Sequence, residues 1–307
     1  MNQDNDRYLA RSWGLLTRDK GWAKPVLALC AASLVPVVGS FGVNGYCLEW
    51  ARLTAWGVDS SPKQKDVRVG ECIGSGFRAF LVSAAYGIVL WVALALLAAI
   101  PLLEVPVGML RTALGVVVGV FVLAATLRAT IYQKASAGFG VSRLWEMVSR
   151  DVGGFFRVVG MRLVFDLVSG LLVGSLWGGA LVSEAMGGNM ATLLQLVSTM
   201  GEPSPSDAQL MASYLLGFVS RHMSLIVASI LVATVLEVVK RLLVTTACGL
   251  WFRQFDVAVW GLASDPLPPE RPVQPMLPAP QYAYQQPAAA HPYQRSEERR
   301  VGKEGRS

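Results

Sequence analysis

The chain has 307 residues, 53% of them hydrophobic and 16% charged, and a formal net charge of +6. A soluble domain carries about 45–50% apolar and about 25% charged residues, so this balance excludes an ordinary water-soluble fold. The basic residues cluster beside long apolar blocks, which excludes nucleic-acid binding in favour of orientation against an anionic leaflet.

Residues 1–22 read as a polar, interfacial amino-terminal segment. It carries Arg7, Arg11, Arg18 and Lys20. Tyr8, Leu9, Trp13, Leu15, Leu16 and Trp22 give it an apolar side, with both tryptophans suited to headgroup depth. The first apolar block follows this polar stretch without a small-x-small exit, so no cleavable signal peptide is expected.

A helical membrane domain is predicted over residues 23–262. Its first block, Pro25–Val43, is barely long enough to span. Proline removes a backbone donor and kinks a helix, and glycine loosens one. Pro36, Gly39, Gly42 and Gly45 are therefore the candidate turn of a broken or re-entrant segment. Such a segment must be buried against protein, because broken backbone cannot face lipid. Asn44–Gly57 then reads as an amphipathic cap at the interface, with Tyr46, Trp50, Leu53 and Trp56 beside Glu49 and Arg52.

Ala79–Leu103 has no charge, and Val107–Leu127 has only Arg111, near one end where it can snorkel. About 20 apolar residues cover a hydrocarbon core of about 30 Å, so these two blocks form a first transmembrane hairpin around a turn at Glu104 and Pro106. Arg128–Arg162 reads as a basic amphipathic connector. Leu163–Ser183, broken only by Asp166, and His222–Leu243, which ends on Glu237, Lys240 and Arg241, form a second hairpin. Val244–Leu262 reads as a second aromatic cap. Gly249–Gly261 echoes Gly45–Gly57, each running from Gly to a final Trp-Gly.

Residues 263–294 are rich in Pro, Ala, Gln and Tyr and have little to bury, so they read as a disordered tail. Such a tail offers a soluble partner an extended docking segment.

The fold class expected is an all-α polytopic membrane protein with two transmembrane hairpins plus a broken or re-entrant first block. Lys/Arg excess marks the cytoplasmic side. The amino-terminal segment, Asn44–Arg78 and Arg128–Arg162 are all basic, whereas the turn between the first two long blocks has no Lys or Arg and Glu184–Arg221 has only Arg221. Five full spans would put one basic flank outside. A re-entrant first block avoids this and leaves both termini cytoplasmic.

The stretch Leu34-Val-Pro36-Val-Val-Gly39-Ser-Phe-Gly-Val-Asn-Gly45-Tyr46, continuing to Arg52 and into Gly74-Ser-Gly-Phe77-Arg-Ala-Phe80, resembles prokaryotic membrane proteins grouped as domain of unknown function 4013. The likeness covers roughly residues 15–260. It implies a multi-pass protein of a prokaryotic cell membrane. The family has no assigned activity, cofactor or catalytic residue, so the likeness transfers architecture and no mechanism. Arg295–Glu304 resembles the translation of a sequencing-library adapter, so residues 295–307 are expected to be an artefact at the end of the chain.

No Walker, Rossmann, HExxH or GxSxG pattern is present, and Cys30, Cys47, Cys72, Cys248, His222 and His291 have no metal-ligand spacing. No catalytic residue, cofactor or metal is expected. Arg162, Asp166, Gly170, Gly174 and Gly178 recur every four residues, and Gly115 and Gly119 share that spacing; these glycines are the candidate helix-packing face. Asp166 and Glu237 are the candidate intramembrane polar positions, each with a basic residue on its own helix. The function expected is a membrane scaffold or accessory protein. Its partners would be membrane lipids, a membrane-protein partner or a second copy, and a soluble partner at the tail. The alternative is a small-solute or lipid transporter working through the glycine-lined interface.

Overall fold

The structure, a computed structural model, describes residues 7–98, 104–187, 205–255 and 257. The proline-rich tail, the adapter-like residues 295–307 and most of the region after residue 254 lie outside the described residues.

Every regular element described is helical. They are α1 (Tyr8–Leu16), α2 (Ala23–Ser33), α3 (Val38–Ala55), α4 (Val69–Ala98), α5 (Glu104–Ile131), a 3₁₀ turn (Ala135–Phe139), α6 (Val141–Arg150), α7 (Val152–Met186) and α8 (Pro205–Arg253). Among the described residues, three stretches are long and apolar enough to cross a membrane: Val69–Leu96, Val152–Met186 and Met211–Arg253. The chain is an all-α, multi-span membrane protein.

The long helices form two antiparallel pairs. In the first, the Tyr86 ring of α4 meets Phe121 of α5, and Val82 and Ala125 both border Gly138. In the second, contacts run in reverse order along α7 and α8: Phe155 with Trp251, Asp166 with Lys240, Trp177 with His222, and Glu184 with Arg221. Asp151 starts α7 by accepting a hydrogen bond from the Gly154 amide at 2.8 Å, satisfying a donor that a helix start leaves open.

Burial is concentrated at one end of both pairs. Ala79 and Val82 of α4, Leu127 and Ile131 of α5, Val158 of α7 and Leu242 to Phe252 of α8 close a core around α3. Beyond that base the arms present large apolar side chains outward; Trp91 is 72%, Leu171 64% and Leu216 71% exposed. In water an apolar surface of this extent would drive association. In a bilayer, lipid supplies the contacts.

The first apolar block is divided between two helices. α2 ends at Ser33, Pro36 occupies the turn, Val37 takes a left-handed backbone at φ 63°, and α3 begins at Val38. A β-branched residue in that region costs about 1–3 kcal/mol, so the corner is held by its surroundings. Gly39 faces the Ala32 carbonyl across it. A Cβ at Gly42 would meet nothing within 4 Å among the described residues, and Gly45 lies well inside α3 rather than in a turn.

Three sequence expectations need correction. Asn44–Gly57 is not a surface cap: it continues α3, and Tyr46, Cys47, Leu48, Trp50 and Ala51 are buried in the base. Val244–Arg253 is likewise the end of α8, with Ala247, Cys248 and Trp251 at most 1% exposed. Aromatic residues at helical spacing suit an interface and a core equally, and here the core has them. Arg128–Arg162 is not one connector either. α5 carries Arg128 into the base, where it is 1% exposed, donates to the Ala137 carbonyl at 2.6 Å and lies over the Tyr132 ring. Only α6 within that stretch is a short amphipathic helix, burying Leu144, Met147 and Val148 and pairing Arg143 and Arg150 with Glu146 outside.

Candidate functional site

The closest helix contact in the base is made by glycines. A Cβ at Gly45 of α3 would overlap the Cys72 carbonyl of α4, and one at Gly76 of α4 would overlap the Phe41 carbonyl of α3. Gly249 of α8 approaches α3 in the same way, leaving a Cβ only 2.6 Å from the Ala51 carbonyl oxygen. Phe41, Phe77 and Phe80 pack as a ring cluster beside the first crossing. The Tyr46 hydroxyl donates to the Lys63 carbonyl at 2.7 Å, tying the loop after α3 to it. The Gly-Tyr and Gly-Phe dipeptides quoted above are thus the two halves of one helix crossing.

The predicted packing face on α7 has no such neighbour. A Cβ at Gly170, Gly174 or Gly178 meets nothing within 4 Å among the described residues, and the same holds for Gly115 on α5. Gly119 differs, because it lies under the Arg162 guanidinium of α7. The seam that α7 turns to α8 follows mixed three- and four-residue steps through Arg162, Asp166, Ser169, Val173, Trp177, Ala180 and Glu184, all half-buried or buried. That period keeps one stripe on a partner helix, whereas a strict four-residue row winds away from it.

Two ionic layers close this seam. In the first, Lys240 of α8 donates to Asp166 Oδ1 of α7 at 2.8 Å and also pairs with Glu237 on its own helix. Arg162 stands 3.7 Å from Asp166, and Arg241 donates to Glu237 at 2.8 Å. Both candidate intramembrane carboxylates therefore belong to one cluster joined through Lys240. In the second layer, Glu184 accepts from Arg221 at 3.2 and 3.4 Å and lies 2.9 Å from His222 Nε2. Trp177, Phe218 and His222 stack beside it, and the Glu184 side chain is 7% exposed.

The sequence marks His222 only as the start of an apolar block, and the second layer is not among the positions it singles out. A signal for it exists: Asp166 and Glu184 have the same separation as His222 and Lys240, so antiparallel pairing that joins one couple joins the other. At 1.5 Å per residue the layers lie about 27 Å apart, close to the thickness of a hydrocarbon core.

A third polar network ties the base together. Glu49 of α3 accepts from Arg52 at 2.7 Å, from Ser75 of α4, and from Gln133 after α5 at 3.2 Å. Arg78 of α4 bonds Ser75 at 2.8 Å and also Gln133. A cleft of about 150 Å³ opens beside it, lined by both signs of charge, including Arg52, Lys63, Arg68 and Glu71. Burial pushes the Cys47 thiol up to about 12, so it behaves as an inert packing group rather than a nucleophile. Among the described residues no group of three or more His, Cys, Asp or Glu side chains is placed to hold a metal ion.

The profile of DUF4013, described as a protein of unknown function, matches residues 28–183. No curated protein and no solved structure matches the chain. The matched region runs from α2 to the end of the α7 seam, and so includes the α2–α3 corner, the Gly45–Gly76 crossing and the Glu49 network. The chain belongs to the DUF4013 family.

Proposed function

We propose that the protein is a membrane scaffold or accessory protein whose two transmembrane hairpins anchor a cytoplasmic platform built from the buried base. The observation that carries this reading is the closure of the α7–α8 seam. Asp166 and Glu237 are engaged by Arg162, Lys240 and Arg241, and the seam between the two ionic layers runs through Val173, Trp177 and Phe218. A solute path needs polar groups along its length. The transport alternative through Gly170, Gly174 and Gly178 has no opposing wall among the described residues.

The placement in the membrane follows from charge and exposure. Basic groups concentrate in the base, which supports a cytoplasmic position for it and for both termini. At the α2–α3 corner, Leu34, Val35, Val37 and Val38 are 52–65% exposed, which supports a corner that dips into the near leaflet. The first block then re-enters instead of spanning, with its backbone packed against α4 and α8.

The test is flux. Full-length protein reconstituted in liposomes with a pH-sensitive dye, under proton, Na⁺ or K⁺ gradients, should behave as empty liposomes do, and Asp166→Asn should change nothing. In mild detergent the wild type should co-purify with a membrane protein at a constant ratio. Flux in the wild type that Asp166→Asn abolishes would overturn the scaffold reading.

A further inference from the structure

We infer that α6 is an interfacial helix whose apolar edge, Val141 and Trp145 with Phe139 just before it, sits among the acyl chains of the leaflet nearest the base. At about 100° per residue, Val141, Leu144, Trp145, Met147 and Val148 fall in one arc of about 160°. Ser142, Arg143, Glu146, Ser149 and Arg150 fill the rest. The base covers only part of the apolar arc, burying Leu144, Met147 and Val148. Phe139, Val141 and Trp145 are 46–65% exposed. An amphipathic helix with an apolar edge left over suits the boundary between water and hydrocarbon, and tryptophan favours that depth.

The place where the helix starts decides what covers that edge. α5 ends at Ile131, and the chain then turns back along the α4–α5 pair. Gly138 borders Val82 and the Ala125 carbonyl, the Tyr86 hydroxyl donates to the Gly138 carbonyl at 3.0 Å, and the Phe139 ring stacks on Tyr86 at 6.2 Å. Arg78 is the last charged residue before the uncharged stretch of α4, and Tyr86 lies about 12 Å beyond it along the helix axis. Phe80, Leu81, Ile88 and Val89, on either side of Tyr86 in α4, are exposed apolar surface. The start of α6 is thus pinned beside a part of α4 that has no charge and belongs to a stretch able to cross a membrane. Continuity with that flank makes acyl chain the occupant. At its other end α6 returns to the base, where Gln254 donates to Asp151 at 2.6 Å.

The attraction is apolar rather than electrostatic. Arg143 and Arg150 both pair with Glu146, and Asp151 follows, so residues 141–151 carry as many negative as positive side chains. Insertion of the edge therefore calls for no anionic lipid. It also holds whichever side of the membrane the base faces, and does not rest on the scaffold reading.

The experiment measures spin-label depth on the full-length protein in phosphatidylcholine nanodiscs. Cys30→Ala is the background, because Cys47, Cys72 and Cys248 are buried. Single labels at Val141→Cys and Trp145→Cys should collide more often with oxygen, which partitions into acyl chains, than with a water-soluble nickel chelate. A label at Leu171→Cys, exposed along the apolar stretch of α7, should do the same. A label at Ser149→Cys, on the polar arc of α6, should show the reverse order. Adding phosphatidylglycerol should leave all four results unchanged. Val141, Trp145 and Ser149 are exposed, so their replacement leaves the base packed, and monodisperse elution of each variant checks this. Nickel-favoured collisions at either Val141→Cys or Trp145→Cys would overturn the inference. So would labels there that are shielded from both reagents, because protein would then cover the edge, and so would insertion that appears only with phosphatidylglycerol. A nickel-favoured label at Leu171→Cys would instead contradict the α7 span, which keeps the two failures apart.

Discussion

Gly45→Val is expected to abolish recovery of folded protein in mild detergent. The added side chain would strike the Cys72 carbonyl and the Gly76 amide, which are backbone atoms of α4 with no rotamer to yield. Overpacking that side chains can absorb costs about 1–3 kcal/mol. Here α3 and α4 must separate, and with them the Phe41–Phe77–Phe80 cluster and the Ser75–Glu49 bond, so the cost should exceed about 3 kcal/mol. That is a large share of a domain's net stability of about 5–15 kcal/mol. Gly174→Val is the control, because a Cβ there meets nothing among the described residues. It should elute as the wild type does. Equal recovery of the two variants would show that the α3–α4 crossing is looser than described.

Trp251→Ala should be nearly as damaging. Trp251 is 1% exposed, and its ring lies 5.3–5.9 Å from those of Phe155, Phe252 and Phe255. Its loss would open a cavity where α7, α8 and the base meet, at a cost of about 3–5 kcal/mol. Trp251→Phe should be much milder. The buried Nε1 has no hydrogen-bond partner among the described residues, so replacing the indole removes an unsatisfied donor along with some packing. Thermal unfolding in one detergent should rank the proteins wild type, Phe variant, Ala variant. An Ala variant as stable as the wild type would mean that the end of α8 does not belong to the core.

The long apolar helices were legible because hydrocarbon sets a length that a sequence must match. Ala79–Leu103 and Leu163–Ser183 declare themselves by absence of charge or near-absence of it. The break at Pro36 was legible for the same reason that it forms, since proline cannot donate and the block on either side is short. The extent of the helices was not. α3 and α8 run on through Tyr46, Trp50 and Trp251, whose spacing fits an interfacial stripe as well as a buried one. Tertiary burial decides between the two, and it is not written in either segment alone.

The glycines show the same limit from another side. Gly45, Gly76, Gly170 and Gly174 are the same residue in similar apolar surroundings, yet only the first pair has a backbone opposite it. A repeat of four residues drew attention to α7, whereas the contact seam there keeps the mixed three- and four-residue steps of paired helices. The charged residues were half legible. Arg162 beside Asp166 and Lys240 beside Glu237 could be paired within each helix, but the bond from Lys240 to Asp166 needs the antiparallel register of α7 and α8.

On the proposed placement, the base, with its basic loops, lies on the cytoplasmic side of two membrane hairpins. Cys47, Cys72 and Cys248 are buried, so replacing Cys30 by alanine gives a nearly silent background for labelling. In that background, Lys65→Cys, Ser142→Cys and Met186→Cys place single exposed thiols after α3, in α6 and at the end of α7. An impermeant maleimide applied to intact cells should label the Met186→Cys protein alone, and should reach the other two only after the membrane is opened. Labelling of Lys65→Cys or Ser142→Cys in intact cells, with Met186→Cys protected, would contradict the account.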